Sequence, residues 1–217
     1  MSSCCSGFCT SVSHKFTPRV AEGDLRRYRR KGPIPTTRML RDLVRQAGGG
    51  QTVLDVGAVV GALSFELLGG GFQRATAIDA SPAYVAASRR EAERRGLRDR
   101  FMPLEGDFVT LAGTLPSADV VVLDRVVCCY PALEPLLDAA FAHSQRLVGL
   151  SYPRDRWYVR LVVRVQNALR RLSRNPFYTY VHSVPAMEAL AARHGFRRVA
   201  ETGSFVWSVV LYGRNAT

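Results

Sequence analysis

The fold of this chain is decided by one stretch, Val53-Leu54-Asp55-Val56-Gly57-Ala58-Val59-Val60-Gly61. Its apolar beginning predicts a buried parallel strand from Thr52 to Val56, and its two glycines predict a tight turn. The residues from Ala62 to Leu68 predict the start of a helix. In such a unit the glycines let a ligand approach the backbone, and free helix N–H groups attract an anionic group. The stretch therefore indicates a nucleotide-binding device.

A second strand, predicted from Ala75 to Asp79, ends in an acid. An acid at this position of a βαβ unit typically accepts hydrogen bonds from ribose hydroxyls. Gly61 lies 18 residues before Asp79, which is close to the roughly 20 residues expected for this geometry. The spacing supports a ligand that contains a ribose.

These residues resemble the first motif of the class I S-adenosylmethionine-dependent methyltransferases. That motif reads acid-x-Gly-x-Gly-x-Gly, and Asp55, Gly57 and Gly61 match three of its four positions. Val59 stands where the family has the middle glycine. The resemblance covers about Thr52 to Tyr152 and continues, in the family's order, at Asp79, at Gly106-Asp107-Phe108 and at Ala118 to Asp124.

The resemblance implies an α/β fold with a Rossmann-like, seven-stranded sheet. The sheet is expected to be mostly parallel, with an antiparallel C-terminal hairpin and helices on both faces. The resemblance also implies S-adenosylmethionine as the cofactor and methyl transfer as the reaction. The family's cofactor-binding positions fall here on Asp55, Gly57, Ala58, Gly61, Asp79, Ala80, Asp107, Phe108 and Asp124.

Val59 is the point at which the chain departs from this family. A β-branched residue disfavours positive φ and fills space near the ligand. Two alternatives therefore stay open. One is a non-catalytic or degenerate S-adenosylmethionine-binding protein on the same scaffold, and the other is a doubly wound domain for a different nucleotide.

The chain is strongly basic, since 30 basic and 18 acidic residues among 217 give a formal charge of +12. Only Lys15 and Lys31 are lysines, so 28 of the basic residues are arginines. We interpret this excess as the codon bias of a high-GC genome. A nucleic-acid methyltransferase is the alternative that the charge suggests. Against it, the fourth strand is followed by Asp124-Arg125-Val126-Val127 and lacks the Asn/Asp-Pro-Pro-aromatic signature of enzymes that methylate base amines.

The cysteine count is five, an odd number that implies no framework of disulfides. No apolar run is long enough to span a bilayer, and the N-terminus lacks the order of a secretory signal. A soluble cytoplasmic protein with reduced thiols is expected. If a metal bound, Cys4, Cys9 and Cys128 would be its ligands, but their spacing fits no standard site, and we expect no metal.

The N-terminal extension, residues 1–47, is predicted to contain lid helices. Its apolar residues from His14 to Gly32 recur at near-helical spacing, and methyltransferases of this class often fold such a helix over the cofactor. Tyr28 is then expected to close on the ligand. Thr36 or Thr37 is expected to cap a second helix, from Arg38 to Gln46.

Residues 48–217 are predicted to form the methyltransferase domain, with a helical insertion at 153–183. Beyond the second strand, helices and strands alternate as a doubly wound sheet requires. The predicted elements are a helix from Ser81, its N-cap, to Arg95, strands 101–106 and 119–123, a helix 135–144, a strand 146–152, a helix 184–194 capped by Ser183, and closing strands 197–201 and 204–212.

A long helix is predicted from Asp155 to Arg174. Its arginines lie away from an apolar stripe, and we expect that stripe to pack on the domain. The alternative is a helix that lies on a membrane surface. The stripe consists of Trp157, Leu161, Val165, Ala168 and Leu172.

The C-terminal third is similar in layout to magnesium-protoporphyrin and quinone-type small-molecule O-methyltransferases, which favours a planar or apolar small substrate. The substrate pocket is expected between the exit of the fourth strand, the helix 155–174 and an aromatic, strand-like link, residues 176–182. His182 is the first candidate for a general base, followed by Tyr130 and Asp124. The candidate substrate-binding residues are Tyr28, Arg125, Tyr130, Tyr180 and His182.

Overall fold

A seven-stranded sheet forms the centre of the structure. Its strands are β1 (Thr52–Val56), β2 (Arg74–Asp79), β3 (Phe101–Glu105), β4 (Ala118–Asp124), β5 (Ser144–Pro153), β6 (Phe196–Gly203) and β7 (Trp207–Arg214). Their order across the sheet is β3-β2-β1-β4-β5-β7-β6. Strands β1 to β5 pair in parallel, and β7 runs antiparallel to β5 and β6. The predicted sheet, with its antiparallel C-terminal hairpin, is confirmed.

Helices flank this sheet. The computed structural model describes residue 12, residues 15–174 and residues 177–215. Within these, the helices are α1 (Pro18–Lys31), α2 (Pro35–Gln46), α3 (Ala62–Leu68), α4 (Pro82–Arg94), α5 (Phe108–Leu111), α6 (Leu133–His143), α7 (Trp157–Leu172) and α8 (Val184–Arg193), with short 3₁₀ turns at 112–114 and 127–129. No helix of this described part is long and apolar enough to cross a membrane.

The two faces of the sheet bury different sets of helices. Neighbouring residues of a strand point to opposite faces, so Val53 packs with Leu25 and Leu40 on one face, while Leu54 packs with Leu137 and Met187 on the other. The helices α1 and α2 therefore belong to the same apolar core as the strands. The chain order reverses between β1 and β4, and ligands of open α/β sheets bind at such a switch point.

The start of α2 differs from the prediction. The helix begins at Pro35 with Ile34 as its N-cap residue, because a proline at the first helical position has its φ already set and has no N–H to lose. Thr36 and Thr37 consequently lie inside the first turn, where both are buried. Neither caps the helix, and the Thr37 hydroxyl instead donates to the Asp124 carboxylate over 2.5 Å.

The outward face of α7 contradicts the expectation that its apolar stripe packs on the domain. Trp157 is 76% exposed, Leu161 53% and Leu172 84%. The helix packs inward through Val159 and Val163 instead, which lie one turn apart on a different side of the helix. Its apolar residues thus cover more of the circumference than one core-facing stripe needs.

The link before α8 differs from its predicted strand. Residues 177–182 make no sheet pairing, but the Tyr180 amide donates to the Cys128 carbonyl over 2.7 Å, so the link is fastened to the exit of β4. Ser183 does occupy the N-cap position of α8, yet its side chain makes no capping hydrogen bond.

Candidate cofactor and substrate site

The turn after β1 packs closely against its neighbours in the structure. The amides of Gly57 and Ala58 both donate to the Ile78 carbonyl, over 2.7 and 3.1 Å. Gly57 has a φ of 65°, and a Cβ there would lie 2.4 Å from Cγ2 of Val126. Only glycine fits this close approach without strain.

Val59 adopts the backbone conformation of a glycine. Its φ is 54°, which is a true outlier for a β-branched residue. The Val59 amide donates to Oδ2 of Asp79 over 2.8 Å, and the Ser81 amide donates to Oδ1 of the same carboxylate over 2.8 Å. The turn therefore runs as it would with glycine, and it holds Asp79 in a fixed orientation.

Asp79 and Asp55 are buried carboxylates at the tips of neighbouring strands. Burial raises the pKa of Asp79 to about 6, although the hydrogen bonds from Ser81 and Val59 oppose the shift. Burial also raises the pKa of Asp55 to about 7, against hydrogen bonds that the Ser64 hydroxyl and amide donate to its Oδ2. Desolvation favours the uncharged acid, whereas donors stabilise the carboxylate.

Two further carboxylates complete this edge of the sheet. Asp107 follows β3 and caps α5, where it accepts a hydrogen bond from the Val109 amide over 3.1 Å. Asp124 ends β4 and accepts from the hydroxyls of Thr37 and Ser151, each over 2.5 Å. The parallel strands thus bring four acids to one edge, because their carboxyl ends point the same way.

A cavity of about 910 Å³ opens at these strand ends. Most of the predicted cofactor positions contribute to its wall, and so do the candidate substrate residues Arg125 and Tyr130. Gly61, Tyr28, Tyr180 and His182 are not part of the wall that the described residues form. The predicted residues that line the cavity are Asp55, Gly57, Ala58, Asp79, Ala80, Asp107, Phe108, Asp124, Arg125 and Tyr130.

Residues 53–148, which span β1 to the middle of β5 and include all four acids, match the family model described as a methyltransferase domain. Over this stretch, which is less than half of its length, the chain is similar to methyltransferase domains. None of the curated proteins matches it significantly.

Solved methyltransferase structures share the fold. Magnesium protoporphyrin IX methyltransferase from Synechocystis PCC 6803, with bound SAH, has a TM-score of 0.71 at 18% identity, over 95% of this chain and 99% of that one. An O-methyltransferase family protein from Burkholderia thailandensis gives 0.70 at 16%, over 91% and 60%. Mitomycin 7-O-methyltransferase gives 0.65 at 21%, over 95% and 60%.

Residues of the N-terminal segment line one side of the cavity. Phe16 lines it, and the Phe16 carbonyl accepts a hydrogen bond from the Ser81 hydroxyl over 3.1 Å. Asp24 of α1 accepts from the Tyr84 hydroxyl over 2.6 Å. Tyr28 does not take part, because it is buried in the core on the inner side of α1 and donates to Glu66 over 3.2 Å.

The candidate bases are engaged in contacts with other residues. Tyr130 is buried and donates its hydroxyl to Asp107, so it faces the acids. His182 lies within 3.2 Å of the Tyr130 carbonyl through Nε2 and stacks on Tyr180, with ring centroids 5.7 Å apart. Burial lowers the pKa of His182 below its usual value. His182 is thus near the exit of β4, as predicted, but outside the cavity wall.

Several wall residues were missed in the sequence. Lys15, Phe16, Phe177 and Trp207 come from segments that are distant along the chain. Arg170 was noticed only as a surface arginine of the long helix. No local pattern marks these positions, because their role depends on where α1, α7 and the hairpin pack. Cys128 and Cys129 also line the cavity, whereas Cys4 and Cys9 lie outside the described residues.

Proposed function

We propose that this chain is a methyltransferase that transfers the methyl group of S-adenosylmethionine to a small-molecule acceptor with an apolar body. One observation carries the proposal: a single cavity of about 910 Å³ runs from the acids at the strand tips to apolar residues of α7, such as Val159 and Val163. Ligand pockets usually measure roughly 300–1,000 Å³. A space of this size suits a cofactor and a small acceptor together.

The residues at the strand tips fit the cofactor. The Asp79 carboxylate is oriented by two backbone amides and borders the cavity, which suits ribose hydroxyls as donors. Asp107 is oriented by Tyr130 and by its own capping bond, and we assign it to the adenine edge. Gly57 leaves room for Val126 and lets the backbone of the turn border the cavity. Because Val59 has the φ of a glycine, it does not favour the degenerate scaffold over the enzyme.

The chemistry requires alignment more than proton transfer. Bound S-adenosylmethionine supplies a methyl group on a positively charged sulfur, which is displaced in line by the acceptor. The chain's part is to orient both reactants and exclude water. The N-terminal segment with Phe16 covers one side of the cavity, and α7 closes another. No histidine lines the cavity among the described residues, so we assign the rate enhancement to proximity.

Calorimetric titration with S-adenosylmethionine tests the first half of this proposal. We expect one site per chain, and no heat of binding would contradict it. Methyl transfer from labelled cofactor into small molecules that co-purify with the protein tests the second half. Label that appears only in added RNA or DNA would instead favour the nucleic-acid alternative.

A further inference from the structure

Three cations surround the acceptor half of the cavity. Lys15, Arg125 and Arg170 all line it. Nζ of Lys15 lies 3.3 Å from the ring centroid of Phe177, and Cζ of Arg170 lies 5.4 Å from the same centroid. Two positive groups thus share one ring. Arg125 lies over Trp207, with its Cζ 4.2 Å from the ring centroid.

These cations have no acidic partner among the described residues. Arg170 donates to Asn167 and Thr179, which are neutral, and no ion pair involves Lys15 or Arg125 within 15–174 and 177–215. Other arginines of the chain are paired, as Arg94 and Arg95 are with Glu91. Lys15 and Arg170 are half-buried and Arg125 is exposed, and each aromatic contact is worth about 0.5–2 kcal/mol.

The lowered pKa of Lys15 reflects burial and also indicates an excess of positive charge around it. Burial lowers the pKa of Lys15 to about 8, and the charge of Arg170 adds to the shift, as does that of Arg125 to a smaller extent. The thiols of Cys128 and Cys129 face the same group and act in the opposite direction. The three cations therefore repel one another, and a negative group among them would relieve that repulsion.

The surroundings of the cluster are apolar and aromatic. Val159, Val163, Phe177 and Trp207 form the neighbouring wall. A ligand that suits both features has an apolar or planar body and one anionic group. No histidine lines the cavity in the described part of the chain, and an acceptor oxygen that is already ionised would need no proton removed.

We infer that the acceptor is an organic acid with an apolar body, whose anionic oxygen group is bound by Lys15, Arg125 and Arg170. The inference rests on the proposed function, because it names the substrate class of the same cavity. It covers carboxylates and phenolates alike, since guanidinium and ammonium groups bind any anionic oxygen.

A pair of fluorescent probes tests the inference without knowledge of the substrate. Anilinonaphthalene sulfonate is aromatic and anionic, whereas N-phenylnaphthylamine has a similar body and no charge. Both are titrated into protein saturated with SAH. In the variant Lys15→Gln/Arg170→Gln the dissociation constant of the sulfonate should rise at least tenfold, and that of the neutral probe should stay within about twofold.

The variant Arg164→Gln/Arg171→Gln removes two charges from the outer side of α7 and is the matched control, for which no selective loss is expected. Weak sulfonate binding to the unchanged protein, or equal losses for the two probes, would overturn the inference. Benzoates and phenols used as competitors then separate the two kinds of acid. Binding of SAH is also measured in the absence of the probes. If SAH does not bind, the proposed function is contradicted. The probe titrations test the cation cluster independently of that result.

A second, independent inference concerns the outward face of α7. Its exposed apolar residues continue into the loop 204–206, where Phe205 is 75% exposed and stacks on Tyr158 with ring centroids 4.6 Å apart. A contiguous apolar surface of this kind marks an interaction site. Its members are Trp157, Leu161, Val162, Val165, Leu169, Leu172, Phe205 and Val206. Of these, Val162, Phe205 and Val206 also line the cavity.

The charges near this apolar face indicate the kind of partner that it binds. From Arg154 to Arg174 the chain has seven arginines, of which Arg170 lines the cavity. The one acid of this stretch, Asp155, is paired with Arg160. Apolar and aromatic residues flanked by arginines are typical of helices that lie in the surface of an anionic membrane. We propose that α7 docks on such a surface.

Sedimentation with vesicles tests the docking surface. Vesicles of phosphatidylcholine with added phosphatidylglycerol should bind the protein, and vesicles of phosphatidylcholine alone should bind it at least tenfold more weakly. Leu161→Gln/Leu169→Gln should abolish binding, whereas the matched control Met102→Gln/Val199→Gln, which alters exposed apolar residues elsewhere, should leave it intact. Equal binding by both double variants would overturn the proposal. So would a dimer that Leu161→Gln/Leu169→Gln dissociates, because the face would then be an interface between copies.

Discussion

The Tyr130 hydroxyl donates to both carboxylate oxygens of Asp107, over 3.0 Å each. Burial and the charge of Asp107 raise the pKa of Tyr130 above its usual value, so the group keeps its proton and acts as a donor. Tyr130 is thus suited to position Asp107, and its use as a general base would first require this bond to break.

Tyr130→Phe separates these two roles. Loss of a hydrogen bond to a charged group costs about 1.5–3 kcal/mol, and we expect S-adenosylmethionine to bind roughly tenfold more weakly, with an unchanged pH profile of the turnover rate. Calorimetry and single-turnover rates measure the two effects. A collapse of the rate with intact affinity would instead identify Tyr130 as a base.

Asp79→Ala tests the ribose assignment. It removes the acceptor for two hydroxyl groups, and each charge-assisted bond is worth about 1.5–3 kcal/mol. We expect cofactor affinity to fall at least tenfold while the protein stays folded by circular dichroism. Asp99→Ala, an exposed acid away from the cavity, is the control. Unchanged affinity in Asp79→Ala would refute the assignment.

The raised pKa of Asp79 predicts a pH dependence of cofactor binding. Ribose hydroxyls bind the carboxylate best in its ionised form, so below about pH 6 the cofactor must compete with a proton, and affinity should decline as pH falls. Titrations across that pH in Asp79→Asn should lose this dependence. An identical slope in the variant would assign the effect to other groups, Asp55 first.

The raised pKa of Asp79 also makes the stability of the unliganded protein depend on pH, in the opposite direction to cofactor binding. The folded carboxyl, with a pKa of about 6, holds its proton more tightly than an ordinary aspartate with a pKa of 3.8. Its contribution to the free energy of unfolding is therefore complete at low pH and is lost as pH rises through 6. Asp79→Asn should remove this component of the pH dependence of thermal unfolding.

Val59→Gly tests the cost of a valine at positive φ. A non-glycine residue in this region costs roughly 1–2 kcal/mol, which the variant recovers, while it loses some packing and gains unfolded-state entropy. We expect the free energy of unfolding to change by less than about 1 kcal/mol and cofactor affinity to stay equal or rise. Val59→Ala keeps a side chain at positive φ and should be less stable than Val59→Gly. Weaker binding by the glycine variant would show that the valine side chain supports the ligand.

The sequence predicts which acids meet at one edge of the sheet, because these residues are local to the strands. Asp55 and Asp79 lie in or at the end of apolar runs and Asp107 lies two residues after β3, and the pairing of parallel strands then brings them together. The sequence predicts Asp124 at this edge on the same ground, but it indicates a helix cap for Thr37, which is the hydrogen-bond partner of Asp124. A hydroxyl near a helix start serves equally well as a cap or as a tertiary donor, and only the packing of α2 decides.

The acceptor half depends on packing that has no local signal. The periodicity of α7 is compatible with either face inward, because its apolar residues extend around more than half of the helix. The sequence therefore could not show that Val159 and Val163 face the domain and Trp157 faces away. Lys15 and Arg170 meet at Phe177 only because the N-terminal segment and α7 pack against the same link.

Glu91 of α4 is fully buried and receives Arg29 from α1, together with Arg94 and Arg95, at 2.6 to 2.8 Å. Burial disfavours its ionisation, yet the three guanidinium groups outweigh it and hold the pKa of Glu91 at about 2. One contact that joins α1 to α4 is therefore an ion pair whose carboxylate is buried and whose Arg29 is partly exposed. Dissolved salt screens a partly buried pair much less than a surface pair, so α1 should stay joined to α4 as the ionic strength of the buffer rises.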